Sequence, residues 1–158
     1  MVVDRSFPEL RCVPLRVRSF HSQSDYFQAR FSPGRALIFA RMRYTIFVNA
    51  ALEGERPPQR AMEAIVAHEL EHICWYRNHS RWRWLGLIDL VWEHDQERFE
   101  KQADVGAINR GYGPGLADYR RWLYQHVSPK VASKKRRIYL TPEEIDRIST
   151  AGAPASRR

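Results

Sequence analysis

Apolar residues recur at three- and four-residue spacing through Met62, Ile65, Val66, Leu70 and Ile73. That period predicts an amphipathic helix opening at Pro58, behind Pro57, and running to about Asn78. Upstream the period shortens to two. Val13-Pro14-Leu15-Arg16-Val17-Arg18 alternates apolar and basic positions as a half-buried strand does, with Pro14 favouring an edge position. A turn signal, Ser32-Pro33-Gly34-Arg35, precedes apolar residues 36–40 and then Tyr44-Thr45-Ile46-Phe47-Val48-Asn49, rich in β-branched and aromatic side chains. These read as two strands or one long bent strand. Downstream, helical stretches are expected over residues 82–92 and 95–110, with Gly111 placed for a left-handed C-terminal cap. Gly113-Pro114-Gly115 then breaks the chain before a short helix over residues 116–126. Residues 128–137 read as a polar, basic linker. Thr141-Pro142-Glu143-Glu144 opens a further helix, with Thr as cap, Pro at the first position and Glu three residues after the cap. Residues 150–158 read as a disordered tail. The expected class is α+β: a small N-terminal sheet followed by a helical part, with one domain over residues 1–127 and an appended linker, helix and tail over 128–158.

Composition narrows the classes. A chain of 158 residues that is 44% hydrophobic is long enough for one buried core and too apolar for whole-chain disorder. Cys12 and Cys74 form neither a disulfide framework nor a C-x-x-C pair. The N-terminal residues lack a basic stretch leading into a long apolar run, and the longest apolar run, residues 84–92, contains Asp89 and is too short to span a bilayer. A soluble, cytoplasmic protein with no transmembrane segment is expected. The net charge of +8 points towards acidic partners, but its distribution matters more than its total. Residues 1–43 carry eight arginines and three acids, residues 44–110 eight basic and eleven acidic side chains, and residues 111–158 ten basic and four acidic. The basic excess belongs to the flanks, and the middle is acidic.

That middle contains His68-Glu69-Leu70-Glu71-His72, an H-E-x-x-H motif within the strongest helical pattern of the chain. Residues at i and i+4 project from one helical face, so both imidazoles can hold one zinc ion. Glu69 is then placed to act on the attacking water as general base. Such a site needs a third protein ligand. The extended form with Gly at 75 and His at 78 fails, because Trp75 and Asn78 stand there and His79 comes one step late. His94 has no supporting pattern. Glu100-Lys101-Gln102-Ala103-Asp104 supplies a carboxylate ligand in Glu100, with Asp104 one turn on as an acceptor for a ligand imidazole. Since neither cysteine falls in a ligand pattern, any zinc is expected to be held by histidine and carboxylate.

The two motifs together resemble those of gluzincin metallopeptidases, and most closely the small soluble minigluzincins, which are akin to the core of CaaX-processing membrane metalloproteases. The resemblance covers roughly residues 43–112. It implies a zinc-dependent endopeptidase with a zincin-like fold, in which His68, His72 and Glu100 bind Zn2+, Glu69 is the base and Asp104 orients a ligand. It further implies an edge strand packed before the metal helix that pairs with extended peptide or protein substrate, here Ile46, Phe47, Val48 and Asn49 of the Tyr44–Asn49 segment. An oxyanion-stabilising group downstream is also implied, with Arg110, Tyr112, Tyr119, Arg120 and His126 as candidates.

Two features stand outside this reading. Trp75, Tyr76, Trp82, Trp84 and Trp92 are interleaved with Arg77, Arg81 and Arg83, a pattern suited to base stacking or a membrane surface but more often to packing. Lys134-Lys135-Arg136-Arg137 is a short basic run. They sustain an alternative class: a basic nucleic-acid-binding protein with a structural or absent zinc, or a DNA-associated protease of the SprT-like kind. Nucleic acid is the less favoured partner. A latent enzyme, with residues 138–148 over the cleft, is a third option.

Overall fold

In a computed structural model the described residues are 2–22, 26–31, 44–54, 56–78 and 88–151. In chain order they form α1 (Val2–Ser6), β1 (Leu15–Phe20), β2 (Phe27–Phe31), β3 (Tyr44–Asn49), α2 (Gln59–Asn78), α3 (Ile88–Ala107), α4 (Gly113–His126), α5 (Pro129–Ile138) and α6 (Pro142–Ala151). The chain is α+β and mostly helical. The expected turn at residues 32–35, the apolar segment 36–40 and the first part, 82–87, of the helical stretch expected over 82–92 lie outside the described residues, as does the tail beyond residue 151; the remainder of that stretch and the helix expected over 95–110 are one continuous helix, α3. By contacts the chain divides into two units, Met1–Arg56 with Glu69–Glu93, and Pro57–His68 with His94–Arg158.

In the first unit the sheet has the order β1-β3-β2, with β1 parallel and β2 antiparallel to β3. The Tyr44–Asn49 segment is therefore a strand, as expected, but the central one. The expectation of an edge strand is corrected: both sides of β3 are already hydrogen-bonded, so it has no free ladder to offer a substrate. β2, whose Phe27-Gln28-Ala29-Arg30-Phe31 also alternates, is a strand that the periodicity reading passed over. β1 departs from the half-buried pattern, because Val17 is 71% exposed. Among the described residues β1 is paired on one side only. Asn49 closes the sheet locally: its side-chain nitrogen donates to Ser22 O at 2.6 Å, and its oxygen accepts from Ala51 N at 3.0 Å. This places an expected substrate-binding residue in a structural bond network. The C-terminal half of α2 belongs to the same unit, where Leu70 and Ile73 are buried, each worth about 1.5–3 kcal/mol by transfer from water. Arg77 Nη1 donates to Glu9 O at 2.5 Å and Cys74 Sγ to Glu9 Oε1 at 3.4 Å, which ties the N-terminal segment to the end of α2.

In the second unit α4 packs against the first turns of α2. A Cβ at Gly115 would collide with the Arg60 carbonyl and touch Ala64 Cβ, so only glycine permits this approach. Arg60 also pairs with Asp118 of α4. Between α3 and α4 a π-turn, Ile108–Tyr112, reverses at Gly111, whose φ of 89° is the left-handed conformation expected there. Residues 128–137 are a helix rather than a linker. Ser128 caps α5, Pro129 occupies its first turn, and Lys135, Arg136 and Arg137 lie in its last turn, where positive charge complements the helix dipole. The capping box that opens α6 is formed as expected, with Thr141 N donating to Glu144 Oε2 at 2.7 Å and Glu144 N to Thr141 Oγ1 at 3.3 Å. Arg121 of α4 pairs with Asp146 of α6 at 2.6 Å. Buried Ile145 belongs to this second core. Among the described residues no helix is long and apolar enough to cross a membrane.

Candidate metal centre

α2 is unbroken from Gln59 to Asn78, so His68 and His72 stand one turn apart on one face by helical geometry alone. His68, Glu69 and His72 are only 1%, 5% and 5% exposed, a depth at which ionisable groups need partners or a metal. One ligand atom from each of His68, His72 and Glu100 lies within 4.8 Å of the others. Among the described residues it is Glu100 of α3 that reaches the histidines, while the side chain of His94 lies outside them.

Within the second unit His68 sits between two carboxylates. Its Nε2 is 3.1 Å from Glu100 Oε2, and its Nδ1 is 2.8 Å from Asp104 Oδ1. With Asp104 on its Nδ1 side, His68 presents Nε2 towards Glu100, the arrangement found where a carboxylate backs a ligating histidine. Asp104 is fully buried and accepts hydrogen bonds from Arg120 Nη2 at 2.7 Å and from the Leu140 backbone N–H at 2.9 Å. The Arg120 guanidinium lies 4.3 Å from the centre of the Tyr139 ring, and that ring is 5.9 Å from the His68 ring.

Electrostatics follow from this cluster. Burial works against a charged His68, but Asp104 and Glu100, by charge and hydrogen bonding, outweigh it and raise the imidazole to about 10. Burial likewise opposes ionisation of Asp104, yet the charges of Arg120 and His68, with hydrogen bonds from His68 and Leu140, hold its carboxyl below the ordinary range. The metal-free site thus carries a proton on His68 that a metal must displace.

The donor set suits zinc. Two ligands at about 2.0–2.1 Å from a tetrahedral ion lie about 3.3 Å apart, and the His68–Glu100 separation of 3.1 Å fits. Two imidazoles and one carboxylate with no thiolate form a borderline set that zinc accepts readily, though the set by itself does not identify the ion.

In the first unit Glu69 Oε2 accepts a hydrogen bond of 2.5 Å from the Ala29 N–H of β2. Ala29 lies opposite Ile46 in the ladder, so a bond to Glu69 directs its N–H away from β3, along the outer side of β2. The His72 ring lies 6.5 Å from Tyr76, which stacks on Tyr44 of β3. That contact accounts for part of the Trp75–Tyr76 aromatic pair as packing, while residues 79–87 lie outside the described residues.

Three of the oxyanion candidates have other engagements. Arg120 is buried against Asp104. Tyr119 and His126 both stack on Trp122, and His126 Nδ1 is 2.7 Å from Trp122 O. Tyr112 is buried near the start of α4. Three groups that sequence reasoning missed take part in the cluster: the Ala29 N–H, the Leu140 N–H and the Tyr139 ring. The first two are backbone donors with no side-chain signature, and an isolated tyrosine after a basic run carries no signal.

No protein-family model, curated protein or solved structure matches the chain. Fold and site together define an α+β, mostly helical protein in which His68 and His72 of α2 and Glu100 of α3 form a group able to hold a metal ion.

Proposed function

We propose that this chain is a zinc-dependent metalloendopeptidase of the gluzincin kind, acting on peptide or protein substrates. The observation that carries the reading is the arrival of Glu100 at His68 and His72, with Asp104 directly behind His68. A surface helix with two unrelated histidines would not draw a pair of carboxylates from another helix onto one imidazole.

In this reading His68, His72 and Glu100 hold zinc, which when bound supplies Lewis-acid polarisation of a carbonyl and acidification of water. Asp104 fixes the tautomer and plane of His68. Glu69 takes a proton from the attacking water and returns it to the leaving amine, so its carboxylate must be ionised at the start and aimed steadily. The Ala29 N–H serves the second requirement, since its hydrogen bond holds the carboxylate in one orientation.

Zinc content and hydrolysis of an unfolded protein substrate test the assignment. Glu69→Gln is expected to keep one zinc and lose at least a hundredfold in kcat, whereas Glu100→Ala loses zinc. Unchanged zinc affinity in Glu100→Ala removes that residue from the site, and an active Glu69→Gln removes the peptidase mechanism.

A second reading, nucleic-acid binding, is favoured by one observation: Lys130, Lys134, Arg136 and Arg137 are all exposed on or beside one helix, α5. Its mark is affinity that falls steeply with salt and is indifferent to Glu69→Gln.

A further inference from the structure

The segment joining α5 to α6 does more than continue the chain. Tyr139 and Leu140 lie in extended backbone between two helices, and both reach the metal helix's support. Leu140 N–H donates to Asp104 Oδ2, while Asp104 Oδ1 serves His68 and Arg120. The Tyr139 ring lies against the Arg120 guanidinium and the His68 ring. Arg120 is buried, and its Nε has no hydrogen-bond partner among the described residues, so Asp104 and the flanking tyrosine rings hold it in place. Asp104 thus depends on two supports from outside its own helix, and His68 depends on Asp104. The C-terminal helices belong to the same unit as these residues.

We propose that Arg120 and the Tyr139–Leu140 connection form a positioning strap for the metal centre, coupling the docking of the C-terminal helices to metal affinity. The proposal rests on the zinc reading of His68, His72 and Glu100. It makes Arg120 a positioning residue rather than an oxyanion donor, and the C-terminal segment a support rather than an inhibitory cover. Coupling is reciprocal: if the strap tightens zinc binding, zinc must tighten the strap.

The test uses the full chain and zinc alone, with affinity measured by competition against a chromophoric chelator. Arg120→Met is expected to weaken zinc binding ten- to a hundredfold, the usual range for partners behind a ligand. Arg120→Lys, which restores a cation to Asp104, recovers part of it, and Tyr139→Ala costs several-fold. Leu10→Ala, a core change in the other unit, lowers the melting temperature but leaves the zinc affinity of the folded protein unchanged. In the wild type, zinc slows hydrogen exchange at the Leu140 amide. Folded Arg120→Met and Tyr139→Ala with wild-type affinity overturn the strap while leaving the metal site standing. If Arg120→Met does not fold, the wild-type exchange decides, and a Leu140 amide indifferent to zinc overturns the strap. A His68→Ala variant that still binds zinc fully brings down the metal reading itself.

Discussion

Replacing Asp104 by asparagine removes a charge with almost no change of shape. Asp104 has three partners: Arg120 Nη2 donates to one oxygen, where His68 Nδ1 also lies at 2.8 Å, and the Leu140 N–H donates to the other. Asparagine has one oxygen and one NH2 group, so either orientation sets a donor against a donor. It also leaves Arg120 charged, buried and facing a neutral amide. Breaking a buried pair in this way costs about 3–5 kcal/mol. At about 2–4 °C per kcal/mol for a chain of this size, the metal-free protein should melt roughly 6–20 °C lower. Loss of the acceptor behind His68 should also weaken zinc binding by about ten- to a hundredfold. Thermal unfolding by circular dichroism reads the first effect and chelator competition the second. The double variant Asp104→Asn/Arg120→Met should be less destabilised than Asp104→Asn alone, because it removes the stranded charge. A single variant that melts and binds zinc like the wild type, or a double variant in which the two losses simply add, would refute the buried-network account.

Other expectations follow from the same geometry. With the metal-free His68 raised to about 10, zinc must displace a proton, so zinc affinity should rise between pH 7 and 10, and titration calorimetry should show heat varying with the buffer's ionisation enthalpy; a pH-independent affinity contradicts this. The sign for folding is the opposite: the stabilisation from protonated His68 is complete below the unfolded pKa near 6.5 and is lost as pH rises through about 10, which urea unfolding of metal-free protein can follow. Gly115→Ala improves helix propensity yet should destabilise by about 1–3 kcal/mol, because its Cβ meets the Arg60 carbonyl; a stabilised variant would mean that α4 can move away. Thr141→Ala removes half of the capping box and should cost about 1 kcal/mol in denaturant unfolding, with no direct loss of a metal ligand.

Elements whose information is local are legible in the chain itself. The α2 helix follows from apolar spacing, the pairing of His68 with His72 from the four-residue repeat, the α6 start from Thr141, Pro142 and Glu144, and the bend at Gly111 from the absence of a Cβ. Glu100 and Asp104 are legible for a related reason: their four-residue spacing places both on one side of α3, so a helix that delivers one delivers the other. The α5 helix escapes a periodicity reading because its polar, basic composition resembles a linker. Its cap, its charged last turn and the buried Ala132 and Ile138 stabilise it.

What the chain cannot announce locally is which strand lies in the middle and what stands behind a ligand. The Tyr44–Asn49 strand looks the same at an edge as at the centre, because strand order depends on pairing with β1 and β2, both distant in sequence. Ala29 and Leu140 act through backbone N–H groups that every non-proline residue has, so nothing in their identity marks them. Arg120 looks like any basic residue of a helix until Asp104, 16 positions earlier, is folded against it. Sequence alone determined the donor chemistry of the site, two imidazoles and a carboxylate. Only tertiary structure decided how those donors are held, because burial and long-range pairing, rather than residue type, set their orientation and charge.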